Sequence, residues 1–158
     1  MIMRRFPRTA ALLCLLCAAI ALGCSDESTQ LTLAAAPLSG ANADPPNTST
    51  ANGAARIEVD TNVAQFSVEL HAITEVTAAH IHSGAAGSSG PVRVNLFAGP
   101  TTGAVDGMLA QGSFGSGDVQ GISFDELINE VRGGMAYVDV HTTGFPDGEV
   151  RAQLQVVN

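Results

Sequence analysis

Between residues 64 and 73 the chain alternates without a break: Phe66, Val68 and Leu70 fall on one side, Gln65, Ser67, Glu69 and His71 on the other. Successive side chains of a strand point to opposite faces, so this pattern predicts an antiparallel strand with one face in a core and one in water. Arg56 to Asp60 repeats it in brief, with Asn62 marking the turn between the two. Val92, Val94 and Leu96 form the apolar side of a further strand opposite Arg93, Asn95 and Phe97, closed by Gly99-Pro100. Near the end, Ala136, Val138 and Val140 alternate with Tyr137, Asp139 and His141. Val150, Ala152, Leu154 and Val156 then alternate with Glu149, Arg151, Gln153 and Gln155. The turn-rich connection from Thr142 to Gly148 predicts that these last two strands form a hairpin.

The remaining segments are less regular. Leu31 to Leu38 reads as a first strand, with Pro37 placing it at an edge or a strand end. Residues 39–53 are rich in Gly, Pro, Asn and Ser and read as a loop, which leaves open a domain start near residue 30 or near residue 53. Residues 99–121 are dense in glycine, with Asp106-Gly107 expected as a tight turn between short strands and Met108 to Phe114 as one of those strands. One helix is expected. Ser123-Phe124-Asp125-Glu126 is a capping box, Phe124, Leu127, Ile128 and Val131 recur at helical spacing, and Gly133-Gly134 ends it. Seven or eight short strands and one short helix make the fold class all-β, an immunoglobulin-like or Greek-key β-sandwich or barrel.

The first 23 residues belong to a different pattern. Arg4, Arg5 and Arg8 precede an apolar run from Ala10 to Gly23, the basic and hydrophobic regions of a secretory signal. The run ends Ala21-Leu22-Gly23-Cys24, which resembles the bacterial lipoprotein cleavage site, with Ala21 where that motif most often carries leucine. The resemblance implies lipidation at Cys24, residues 24–30 as a tether, and residues 31–158 as the folded domain. Ser25 after the cysteine favours the outer membrane, so the expected location is the cell envelope: outer membrane, periplasm or cell exterior. Cys14 and Cys17 form a C-x-x-C inside the apolar run and would leave with the leader. The mature chain would then hold one cysteine and no internal disulfide. Without the leader arginines, 4 basic residues face 15 acidic ones, a net charge of −11. That balance argues against nucleic acid or anionic lipid as a partner.

Chemistry concentrates in the histidines. His80 and His82 are two apart, so on a strand both imidazoles project from one face. Such a pair can share a zinc or copper ion, and His141, with Asp139 two residues before it, offers a third nitrogen if its strand is a neighbour. Water or a carboxylate would complete the set. His71, beside Glu69, is a further candidate. The competing expectation is a hydrogen-bonded cluster that ties the Gly84 to Gly90 turn to the terminal hairpin, with Glu149 or Arg151 as partners. Glu149 and Arg151 also share a strand face and are candidates to pair. Catalysis by His141 and Asp139 is not expected, because no nucleophile motif accompanies them.

Several segments together resemble the CHRD domain, a family common in exported bacterial proteins. They are Leu38-Ser39-Gly40-Ala41-Asn42 with Pro45-Pro46, Ala79-His80-Ile81-His82-Ser83-Gly84, and Gly90-Pro91-Val92 with Leu96-Phe97. Ala136 to Thr142, Pro146 and Gly148 to Leu154 continue the match, with Asp139 where asparagine is more usual. The resemblance implies that Leu31 to Leu38 lies inside the domain and that the fold is all-β. The resulting functional expectation is a lipid-anchored, non-enzymatic binding module that meets a protein or matrix ligand. The alternative is copper or zinc binding through His80, His82 and His141.

Overall fold

The computed structural model describes residues 31–157 apart from residue 36; the expected leader, Cys24 and the expected tether lie outside the described residues. Among the described residues, nine strands and one α-helix follow in chain order. They are β1 (Leu31–Ala35), β2 (Leu38–Ser39), β3 (Asn52–Asp60), β4 (Val63–Thr74), β5 (Val76–Ser83), β6 (Val92–Ala98), β7 (Ala104–Gly115), α1 (Phe124–Arg132), β8 (Ala136–Thr142) and β9 (Val150–Val157). Every ladder is antiparallel. The strand order is β6-β5-β8-β9-β1-β3-β4-β7, and β2 pairs with both β3 and β9. The outer strands β6 and β7 also approach one another, so the sheet folds over a shared interior in the manner of a β-sandwich. The expected all-β class and the single helix are both present.

The alternation explains which faces meet. Leu33, Ile57, Val68, Leu70, Ile81, Val138 and Leu154 are all buried in one cluster. Phe124, Leu127, Ile128 and Val131 lay the apolar stripe of α1 against it. The helix starts where its sequence says it should. Ser123 Oγ accepts from the Glu126 amide at 3.2 Å, and the Ser123 amide donates to Glu126 Oε2 at 2.8 Å. These bonds satisfy two amides that have no partner within the first turn.

Some expectations needed correction. The first strand is two strands, with Pro37 at the strand end between them, the second of its two expected places, and each strand pairs on both sides. Asp106-Gly107 is not a turn: both lie within the twelve-residue β7, beside a bulge where the β4 register slips. Phe97 does not stay on the polar side, because a bulge between β5 and β6 brings it half-buried against the core. Val156, counted with the core face, is 36% exposed near the end of β9.

Candidate metal centre

The site is built by two short motifs on neighbouring strands. His80-x-His82 lies on β5 and Asp139-x-His141 on β8, and the register pairs His80 with Asp139 and His82 with Tyr137. Directly opposed side chains on one sheet face stand close enough to touch. Two residues from each strand therefore make a compact square of ligating groups. One ligating atom from each of His80, His82, Asp139 and His141 lies within 4.8 Å of the other three.

Asp139 is the hub. Its Oδ1 is 3.1 Å from His82 Nε2, 3.1 Å from His141 Nε2 and 4.0 Å from His80 Nδ1. None of these four atoms has a hydrogen-bond partner, although all are buried. The short separations are thus not directed hydrogen bonds. The outward-facing nitrogens of two rings explain why. His82 Nδ1 lies 2.8 Å from the Gly90 carbonyl and His141 Nδ1 lies 2.9 Å from the Pro146 carbonyl. A carbonyl can only accept, so each Nδ1 carries a proton, which leaves Nε2 as the ring atom that a bound cation would take. Histidines that bind metals are commonly oriented in this way.

The electrostatics fit the same arrangement. Burial alone would raise the Asp139 carboxyl, but the adjacent His141 and His82 imidazoles outweigh it and hold the group at about 2. The Asp139 carboxylate in turn raises His141 despite its burial. His80 is lowered, first by burial and then by the nearby His141. The Asp139 carboxylate is thus held by the imidazoles around it, and a cation bound among the four atoms would take over that role. A tetrahedral zinc bound at 2.0–2.1 Å would set neighbouring donors about 3.4 Å apart, and the observed spacings around Asp139 bracket that value. The four ligating atoms are buried, while the His80 and His141 side chains as a whole remain 19% and 15% exposed.

The structure thus brings together the three expected histidines and adds Asp139 as the carboxylate. It does not include His71, which is exposed on β4 and pairs with Asp106 of β7. Glu149 and Arg151 do not partner the imidazoles, nor do they pair with each other. Glu149 accepts from the hydroxyls of Ser49 and Thr142, whereas Arg151 donates to the carbonyls of Ala85 and Ser88. The Gly84 to Gly90 turn is indeed tied down, with His82, Arg151 and Gln153 all bonded to its carbonyls. Tyr137, stacked on His82, carried no chemical motif in the sequence; its only signal was its place two residues before Asp139 on the same strand face.

No curated protein and no solved structure matches the chain. A family model does match: that of the CHRD domain, over residues 34–154, a span holding both histidine motifs and both strands that carry them. The chain therefore belongs to the CHRD domain family.

Proposed function

We propose that this domain is a metal-binding module that holds one copper or zinc ion on His80, His82, Asp139 and His141. The observation that carries the reading is the convergence of four buried ligating atoms that no hydrogen bond satisfies. Burying an unpaired polar atom costs on the order of 1–3 kcal/mol. A cation shared by all four would remove that cost at once, which makes the set more than a by-product of strand alternation. Three imidazoles and one carboxylate, with no thiolate, suit copper(II) and zinc. The leader-like first 23 residues and Cys24 support display outside the cytoplasm on a lipid anchor, with the domain held in the cell envelope. A protein or matrix ligand, the other expectation, has no comparable convergence of unsatisfied groups among the described residues.

The test compares the chain, purified without an affinity tag, with its His80→Ala/His82→Ala variant. Elemental analysis should find one equivalent of copper or zinc in the parent and none in the variant, with both giving the same far-ultraviolet dichroism. Adding metal at about a hundred times its Kd should stabilise the parent by about 2.7 kcal/mol. A parent that binds neither metal and melts at the same temperature with and without them would leave only a cluster of buried imidazoles.

A further inference from the structure

His82 is held by a closed circuit that none of the other ligands possesses. Its Nδ1 donates to the Gly90 carbonyl at 2.8 Å, and the Gly90 amide donates to Tyr137 Oη at 3.2 Å. The Tyr137 ring returns to His82, lying 9° from parallel with ring centroids 4.9 Å apart. One residue thus uses both its backbone groups to grip two stacked rings. Only glycine permits this approach, because a Cβ at residue 90 would stand 1.8 Å from the Ser83 carbonyl oxygen.

Tyr137 is itself clamped from a third strand. Arg151, on β9, places its guanidinium carbon 3.4 Å from the Tyr137 ring centroid. Because β8 lies between β5 and β9, Tyr137 lies between the imidazole and the guanidinium. Arg151 Nη2 also donates to Ala85 and Ser88 at 2.8 and 2.9 Å, which pins the turn that presents Gly90. The ring plane of His82 and the identity of its protonated nitrogen are therefore both set by groups outside the four ligands.

We propose that Tyr137 is a positioning residue: by stacking on His82 and holding Gly90 in place, it locks the imidazole in the Nδ1–H tautomer with Nε2 aimed at the cluster. Its effect on affinity rests on the metal-binding reading above; its effect on the tautomer does not. Partners of metal-bound histidines typically contribute about 10–100-fold to affinity. Tyr137→Phe keeps the stack and loses the Gly90 bond, whereas Tyr137→Leu loses both.

Two measurements on the parent and both variants test this. Nitrogen-15 spectra of the metal-free chain read the tautomer directly. His82 should be wholly Nδ1–H in the parent, partly mixed in Tyr137→Phe and freely exchanging in Tyr137→Leu. Copper affinity should fall a few-fold and then about tenfold in the same order, with altered nitrogen hyperfine structure in the copper(II) spectrum. A stack that served only stability would lower the melting temperature and leave tautomer and affinity unchanged, and that result would overturn the proposal. If the parent binds neither copper nor zinc, the preceding reading fails and the tautomer spectra alone decide this one. If Tyr137→Leu does not fold, Tyr137→Phe decides it, and an unchanged tautomer there overturns it.

Discussion

The two ends of the strand order carry the same alternation and put it to opposite use. On β3, β4 and β7 the polar positions form two rows, Arg56–Ser67–Gln111 and Glu58–Gln65–Ser113. They line an open hollow of about 660 Å³. On β5, β8 and β9 the equivalent face holds His82, Asp139 and Arg151, all less than 9% exposed. The difference is a roof. The Gly84 to Gly90 turn hangs from Arg151 and Gln153. The segment around Asn47 and Ser49 is tied to Glu149 through its backbone carbonyl and its side chain. Alternation decides which side chains leave the core, and the covering loops decide whether those side chains meet water. Under this roof Asp139, His80 and His141 all shift, because burial strengthens every charge interaction and raises the cost of every unpaired atom.

The largest effect should come from removing the charge under that roof. Asp139→Asn keeps the shape of the hub and takes away its anion. Copper or zinc affinity should fall by roughly 100-fold or more, beyond the loss of any outer partner. The same variant should change the acid response of the metal-free chain. The Asp139 carboxyl stands at about 2 in the fold against an ordinary 3.8. A depressed pKa stabilises the fold above the ordinary value, and that stabilisation disappears as pH falls through the folded value. The gap corresponds to about 2 kcal/mol. His141, raised by the same contact, carries its share below an ordinary 6.5 and loses it as pH rises through its higher folded value. The contribution is therefore complete only between pH 3.8 and 6.5. Urea midpoints at pH 5 and pH 2.5 should differ by less in Asp139→Asn than in the parent; equal differences would mean that Asp139 is not held by its imidazoles.

How much of this was legible in the sequence is clearest in a pair of look-alike motifs. Glu69-Leu70-His71 and Asp139-Val140-His141 each place a carboxylate and an imidazole two apart on the polar side of a strand. Period and residue type make them equivalent. The structure separates them: β4 is irregular just after His71, with Ala72 at a φ of +54° and a register shift before Ile73, and the ring stays exposed. His141 instead lies on a strand paired with the His80-x-His82 strand, and its side chain is only 15% exposed. Which strands become neighbours is a long-range fact that alternation does not encode. The helix was legible to the residue because its capping box is local. The path of β7 through Asp106-Gly107 was not, since β4 pairing overrides the local turn preference. The Arg151–Tyr137–His82 stack spans three strands and could not be read without their order.

A smaller effect tests the roof itself. Arg151→Met keeps much of the apolar stem and removes the guanidinium, with its two hydrogen bonds to the turn and its contact over Tyr137. Hydrogen bonds to a charged group are worth about 1.5–3 kcal/mol each, but water can reach the freed carbonyls of a surface turn, so a net loss of about 2 kcal/mol is expected. Hydrogen exchange should rise in residues 84–90 before it rises in the strands. Uniform acceleration across the domain would mean that the turn is not an independent cover.

The smallest effect belongs to the open half and gives the comparison its baseline. Arg56 and Glu58 pair at 2.7 Å on β3, with side chains 59% and 34% exposed. An exposed pair of this kind contributes about 0–1 kcal/mol, because water already solvates both charges and two long side chains must be ordered to meet. Glu58→Gln should therefore shift the urea midpoint by no more than about 0.5 kcal/mol and leave the metal content unchanged. Its small effect should also weaken further in salt, since screening acts on exposed charges. Asp139→Asn and Glu58→Gln make the same chemical change at matching positions in the alternation, so the ratio of their effects measures what the covering loops add. A loss above about 1 kcal/mol at Glu58 would be too large for a solvated pair and would mean that this face, too, is covered in solution.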